Sequence, residues 1–304
     1  MENLIDRLIK RFLLIRSKSG GYKFFFKKIL NYKSDYLQNR LIQSEFFSKE
    51  LKIIELNIEK YKNILVIAPH QDDEIIGPGG TLIKARNFGS NINILFFTDG
   101  DQKYANVSSD IIQIRKAESI DVCSKLCANT IDIEISNQTF DIKKSQIQLI
   151  KTNLEKISPD LILTPWFLDS PSHRFVNYIF ANILKKVPSV KSDVWCYETH
   201  NQLFPNGIVN ISSVIKEKIE LLSLYESQIN NGFSWDHIVI GKNAYNSKFF
   251  PKIHPPKLYT EIFTVLPIEK YIESSIVENR DLEHLYLGNI SMVESSKKLE
   301  SILK

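Results

Sequence analysis

The stretch NILVIAPHQDDEIIGPGG, residues 63–80, decides the fold. Its first six residues are almost all apolar and predict a strand that is buried on both faces. One His and three acidic residues follow within five positions: His70, Asp72, Asp73 and Glu74. So much charge at the end of a buried strand needs compensation, and a bound metal dication would supply it.

Short apolar runs alternate with helical patterns from about residue 60 onward. The predicted strands cover residues 63–68, 92–98, 130–136, 160–166 and 192–199, and the helix that follows the second strand is predicted to be capped near Ser108 or Ser109. Strands that alternate with helices predict parallel βαβ units. We therefore predict an α/β fold, a Rossmann-like mostly parallel sheet with helices on both faces, plus an N-terminal helical extension.

The N-terminal part of the chain differs from the rest in charge. Residues 1–35 contain nine Lys or Arg and three acidic residues. We predict a basic N-terminal helical extension over residues 1–58 and a second domain over residues 59–304. Two interpretations of residues 1–35 stay open: an amphipathic helix that packs on the main domain, or one that makes peripheral contact with an anionic membrane.

Composition limits the class of protein. The 304 residues carry a net charge of only +4, which does not favour a nucleic-acid partner. No apolar run approaches the ~18–20 residues of a membrane span, and no signal peptide is evident. Three cysteines cannot form a fully paired disulfide framework, so we expect buried thiols in a reducing compartment. We predict a cytoplasmic protein, located at the inner face of the membrane if residues 1–35 bind it.

Three polar loops are expected at one edge of the sheet, because ligands of open parallel sheets bind beyond the carboxyl ends of the strands. These loops are PHQDDE (69–74), TDGD (98–101) and LDSPSH (168–173). His70 and Asp73 can reach one Zn²⁺ ion from a tight loop, and His173 is the best candidate for the third protein ligand. Asp72 would then lie beside the ion, where a carboxylate can accept a proton from water that the ion acidifies.

Two other interpretations compete with a metal site. Acidic residues after a strand can simply cap the next helix, a role open to Glu74. The GPGG segment (77–80) suggests a dinucleotide site, but the last glycine of that fingerprint is replaced by Leu82, and the acidic cluster would repel a pyrophosphate. We expect Gly79 and Gly80 to allow close packing of the helix start instead.

The motif PHQDDE resembles the signature of the PIG-L/LmbE-like N-deacetylases, and the similarity extends over about residues 62–265. That family is zinc-dependent and removes acetyl groups from N-acetylglucosaminyl and related amino-sugar substrates. The resemblance implies His70, Asp73 and His173 as zinc ligands and Asp72 as the general base. It also implies that Arg115 contacts the substrate and that Asp141 contacts a sugar hydroxyl.

The downstream motif departs from the family pattern. Where the family has H-x-D-H, this chain has Ser170-Pro171-Ser172-His173, so a second catalytic His is replaced by Ser170. His200, His237 and His254 are candidates to replace it, and His200 is preferred because it follows the fifth predicted strand at the same sheet edge.

Two functions remain open on this evidence. One is an N-deacetylase that acts on a small-molecule, lipid-linked or nucleotide-linked amino sugar; the other is a catalytically silent homologue that binds a glycan or zinc. The sequence leaves the acceptor sugar and the oligomeric state open.

Overall fold

The computed structural model of the chain describes residues 53–101, 110–229, 234–250 and 258–303. Nearly all of the predicted N-terminal extension lies outside these ranges, as do Ser108, Ser109 and His254. The predicted membrane contact of residues 1–35 also falls outside the described residues. No helix within the described ranges is long and apolar enough to cross a membrane.

Eight strands form one sheet. They are β1 (Ile54–Glu55), β2 (Asn63–Ala68), β3 (Asn91–Thr98), β4 (Ala128–Ile135), β5 (Leu161–Pro165), β6 (Asp193–Tyr197), β7 (Gly207–Asn210) and β8 (Thr260–Pro267). The order across the sheet is β1-β7-β8-β6-β5-β2-β3-β4. Pairing is parallel except where β8 lies antiparallel between β6 and β7. The predicted Rossmann-like, mostly parallel sheet is confirmed.

Helices connect and cover the strands. They are α1 (Asp73–Ile76), α2 (Gly79–Asn87), α3 (Ile111–Leu126), α4 (Lys144–Ile157), α5 (Pro171–Leu184), α6 (Ile215–Leu222), α7 (Glu226–Ile229), α8 (Trp235–Asn246), α9 (Ile268–Ser275), α10 (Leu282–Leu285) and α11 (Ile290–Leu303). Single 3₁₀ turns cover Ser247–Phe249 and Asn279–Asp281. A helix follows each of the first four predicted strands, as the alternating pattern led us to expect.

The core has two parts, one on each face of the sheet. One contains side chains of α4, α5, α9, α10 and α11, and the other contains side chains of α1, α2, α3, α6 and α8. Strand β2 contributes to both, because Leu65 and Ile67 face the first part while Ile64 and Val66 face the second. This placement explains why the β2 sequence is apolar without interruption.

Close packing surrounds the start of α2, as the glycines in that segment led us to expect. A Cβ atom on Gly80 would lie 2.7 Å from the side chain of Ile211, and one on Gly77 would lie 2.3 Å from the ring of Tyr197. Larger residues at either position would therefore displace the segment that follows the acidic motif.

Some features differ from the predictions. Strands β1, β7 and β8 were not predicted, and β1 lies within the segment that was assigned to the N-terminal extension, where it pairs with β7. Cys123 and Cys196 are buried as expected, but Cys127 is exposed, because it ends α3 in a left-handed conformation rather than facing the core.

Candidate active site

Three side chains from two strand ends converge at the carboxyl edge of the sheet. Potential ligand atoms of His70, Asp73 and His173 all lie within 4.8 Å of one another. Oδ2 of Asp73 lies 3.1 Å from Nδ1 of His70 and 3.3 Å from Nε2 of His173. His70 and Asp73 come from the loop between β2 and α1, and His173 lies in the first turn of α5 after β5. The sequence therefore identified three residues that the fold brings together.

The electrostatics of this group favour a bound cation. Burial by itself would lower the pKa of His173, but the carboxylates of Asp73 and Asp169 on its two sides raise that pKa to about 10. Burial opposes the ionised form of Asp73, yet His173 and His70 hold the pKa of Asp73 well below its usual range. Among the described residues, Nε2 of His173 is buried and meets only the carboxylate of Asp73, in an ion pair of 3.3 Å that lacks hydrogen-bond geometry. A dication at this point would give that nitrogen a partner.

The other nitrogen of each His ring faces an outer partner. Nδ1 of His173 lies 3.0 Å from Oγ1 of Thr199 and 3.4 Å from Oδ2 of Asp169. Nε2 of His70 lies 3.4 Å from Oδ1 of Asn137. Partners of this kind fix the orientation of a metal-ligating imidazole. Sequence reasoning missed these three residues, although all follow strand ends at the edge where ligands were expected.

Asp72 lies beside the group in a strained backbone conformation, with φ of 128°. Its Oδ2 is 3.6 Å from Nη2 of Arg115, whose guanidinium also donates to the carbonyls of Gly100 (2.8 Å) and Gln71 (3.1 Å). Burial raises the pKa of Asp72 well above its ordinary value, while Arg115 acts in the opposite direction. The substrate contact implied for Arg115 stays a prediction, and its side chain is only 3% exposed.

Glu74 holds the acidic loop through two hydrogen bonds. It is fully buried, and its carboxylate accepts hydrogen bonds from the backbone N–H of Asp72 (3.0 Å) and the hydroxyl of Tyr225 (2.5 Å). Through the bond to Asp72, Glu74 caps the backbone N–H of the residue just before α1. Within the acidic cluster, the capping interpretation therefore applies to Glu74. Its second bond ties the loop to the segment after α6.

Ser170 and His200 occupy the rim of the site. Oγ of Ser170 lies 3.3 Å from Oγ of Ser172, and both side chains are partly exposed. His200 follows β6, is exposed, and has its ring centroid 5.0 Å from that of His173. The sheet edge therefore brings His200 next to the zinc-ligand candidates, as expected from its position after the fifth predicted strand.

Asp141 and His237 have other surroundings. Within the described residues, Asp141 forms an ion pair of 2.8 Å with Lys298 of α11, and both side chains are about half exposed. Asn137 rather than Asp141 is the residue after β4 that contacts His70. His237 is exposed on α8, and no described contact joins it to the His70, Asp73 and His173 group.

A buried ion pair anchors the segment that follows the acidic motif. The carboxylate of Glu261 on β8 accepts hydrogen bonds from the backbone N–H groups of Gly80 (2.7 Å) and Thr81 (2.8 Å) at the start of α2. Nζ of Lys218 lies 2.7 Å from Glu261 and also donates to the carbonyls of Ile76 (3.2 Å) and Gly77 (3.1 Å). The antiparallel strand β8 thus holds the start of α2, the helix that follows the acidic loop and α1.

Residues 65–184 match the family model described as PIG-L: GlcNAc-PI de-N-acetylase. This segment contains the acidic loop, α3 with Arg115, and the first turn of α5 with His173. Over these residues the chain is similar to the PIG-L family. The resemblance seen in the sequence is therefore confirmed.

A curated relative extends the similarity beyond that segment. The chain is 27% identical over 215 residues to a diacetylchitobiose deacetylase of Thermococcus kodakarensis, an alignment that covers 60% of this chain and 78% of the relative.

Solved structures share the fold of this chain. An N,N'-diacetylchitobiose deacetylase from Pyrococcus horikoshii superposes with a TM-score of 0.58 at 20% identity, covering 77% of this chain and 92% of that one. GalB, a 4-carboxy-2-hydroxymuconate hydratase from Pseudomonas putida, superposes with a TM-score of 0.52 at 12% identity, covering 67% and 96%. Because the second protein is named a hydratase, the fold alone does not decide the reaction.

Proposed function

We propose that this protein is a zinc-dependent N-deacetylase that hydrolyses the acetamide of an N-acetylated amino sugar. One observation carries the proposal: His70, Asp73 and His173 converge on one point, with the carboxylate of Asp72 held beside them by Arg115. The family match and the diacetylchitobiose deacetylase relative support the choice of amide hydrolysis over other reactions of this fold.

The donor set fits zinc. Two ligand atoms at about 2.0–2.1 Å from zinc and at a tetrahedral angle are roughly 3.4 Å apart. The distances of 3.1 and 3.3 Å from Asp73 to the two imidazoles are close to that value. Three protein ligands leave a coordination position free, which is typical of a catalytic rather than a structural zinc site. When bound, zinc would acidify a water molecule and polarise the acetamide carbonyl.

Asp72 is the proposed general base. Its carboxylate is close enough to the ligand group to accept a proton from the attacking water, and its burial favours the protonated form that results. Arg115 holds that carboxylate on one side, and the backbone N–H of Asp72 donates to Glu74 on the other. This double restraint orients the base before the substrate arrives.

The leaving amine needs a proton, and His200 is the proposed donor. Ser170 and Ser172 cannot supply the imidazole and carboxylate that the family pattern has at those positions. His200 lies at the solvent-facing rim beside His173, so its ring can exchange protons with water between turnovers. Asp169 takes the place of the missing carboxylate, because it contacts Nδ1 of His173 and accepts the backbone N–H of His200 at 3.3 Å.

The carrier of the amino sugar stays a prediction. A small-molecule, lipid-linked or nucleotide-linked substrate is consistent with the site, and peripheral membrane contact through residues 1–35 would suit a lipid-linked one. Localisation in the cytoplasm, at the inner membrane face if that contact exists, is likewise a prediction, as are the role of Asp141 as a sugar contact and the domain boundary at residue 58.

The deciding experiment measures acetate release from N,N'-diacetylchitobiose and from N-acetylglucosamine conjugates, with zinc content determined on the same sample. The matched control is Asp72→Asn, which removes the base and keeps the size of the side chain. Acetate release by the wild type but not by the control would support the proposal. Zinc binding without acetate release from any of these compounds would favour the silent homologue.

A further inference from the structure

Four aromatic rings follow one another from the ligand group towards α8. The centroid of His70 lies 5.4 Å from that of His173, His173 lies 5.0 Å from His200, and His200 lies 5.6 Å from Trp235. The indole meets the His200 ring at an interplanar angle of 67°, an edge-to-face contact. Trp235 is partly exposed at the first residue of α8. An indole thus stands next to the proposed proton donor.

Helix α8, which begins at Trp235, is hydrogen-bonded to neighbouring segments. Nζ of Lys242 donates to the carbonyl of Thr199, the residue before His200. Asn246 donates to Glu198 (3.1 Å), and Asn243 donates to the carbonyl of Thr260 (3.2 Å). These bonds join the helix to the residues just after β6 and at the start of β8, so α8 is anchored beside the strand end that carries His200.

We propose that Trp235 is a specificity-determining residue, an aromatic wall against which the pyranose ring of the substrate packs while its acetamide lies at the ligand group. This inference rests on the proposed function and adds the means by which a sugar is selected. A pyranose ring has an apolar C–H face and a rim of hydroxyl groups. An indole offers a flat apolar face, which matches the C–H face of the sugar.

Binding can be tested without turnover, because the chain has only three tryptophans and the other two are buried. Trp166 is 0% and Trp195 is 1% exposed. Titration of N,N'-diacetylchitobiose into the Asp72→Asn variant should therefore change the fluorescence of Trp235. The same titration of a double variant that also carries Trp235→Phe should lose most of that change. A fluorescence change that persists in full with Trp235→Phe would overturn the proposal.

Kinetics provide the second test. Trp235→Ala should raise KM for N-acetylated amino sugars by up to about tenfold, the range expected for loss of one aromatic contact, with kcat little changed. The KM for an acyclic N-acetyl amine should rise far less in the same variant. Tyr245→Ala is the matched control, since Tyr245 is 60% exposed on the same helix and is expected to leave KM unchanged.

The outcomes separate this inference from the proposed function. Failure of the wild type to release acetate from any sugar would remove the proposed function, while the fluorescence titration would still test the wall. An unchanged KM in Trp235→Ala, or an equal rise in KM for the acyclic amine, would overturn the role proposed for Trp235. The deacetylase proposal would stay intact. Unchanged zinc content and thermal unfolding of Trp235→Ala would show that the variant is folded.

Discussion

Oδ2 of Asp169 lies 3.4 Å from Nδ1 of His173, on the side of the imidazole opposite Asp73. The two residues are fully buried and four positions apart at the start of α5. In the family pattern the carboxylate of this region comes one residue before the His, and here that position is Ser172. In this chain the carboxylate that contacts the His173 imidazole therefore comes from Asp169, four positions earlier.

Asp169→Asn should weaken zinc binding by about 10–100-fold, because outer partners orient the ligand and raise its basicity. The measurement is competition for zinc with a chromogenic chelator. Asp141→Asn is the control, since Asp141 is exposed and pairs with Lys298. Equal zinc affinity of the Asp169 variant and the control would contradict the role that we give to Asp169.

Removal of any proposed ligand should remove tight zinc binding. His70→Ala, Asp73→Ala and His173→Ala each leave two protein ligands of three, too few for a stable catalytic site. Metal analysis after dialysis against a weak chelator is the measurement. Full zinc occupancy in all three variants would rule out this group as the metal site.

Asp72→Asn should keep its zinc and lose acetate release by about 10²–10⁴-fold, because an amide cannot accept the proton. Asn is the right replacement, since Asp72 has φ of 128° and Asn tolerates positive φ better than most residues. A near-normal rate in a zinc-loaded variant would show that another group is the base.

His200→Gln should lower kcat and remove from the pH–rate profile the fall in rate that accompanies deprotonation of the acid as pH rises. Desolvation of the ring and the neighbouring His173 lower the pKa of His200 to about 4, so that fall is expected on the acidic side of neutrality. The second variant adds Ser170→His to His200→Gln and restores an imidazole at the position where the family has one. Partial recovery of kcat would assign the same task to both positions. An unchanged profile in His200→Gln would mean that the amine obtains its proton elsewhere.

Lys218→Met should destabilise the fold by about 3–5 kcal/mol, because the carboxylate of Glu261 would stay buried without its cation. Urea unfolding measures the change in the free energy of unfolding. Lys60→Met is the control, since the Lys60–Asp193 pair is more than half exposed on both sides and should contribute less than about 1 kcal/mol. Similar losses in the two variants would mean that the buried pair contributes no more than a surface pair.

The parallel half of the sheet was predictable from sequence for a physical reason. Strands such as β2 and β5 are buried on both faces, so their apolar runs are continuous and bounded by polar loops. Strand β8 was not predicted, because its place between β6 and β7 depends on pairing with residues far away in the chain. The local pattern of residues does not contain that information.

The same distinction applies to the site. His70, Asp73 and His173 follow from the rule that ligands bind at the carboxyl ends of parallel strands. Their outer partners Asn137 and Thr199 depend on side-chain orientation in loops, which residue type does not specify. Asp169 was within reach of sequence reasoning, since it is an acidic residue after a strand and four positions before His173.

The capping of α2 by Glu261 has a consequence for synthesis of the chain. Gly80 and Glu261 are 181 residues apart, so at ~5–20 residues per second the nascent acidic loop leaves the ribosome roughly ten to forty seconds before the carboxylate that holds its far end. During that interval the loop exposes three acidic side chains and an unsatisfied helix start. The start of α2 therefore gains its carboxylate partner only when β8 joins the sheet, late in synthesis.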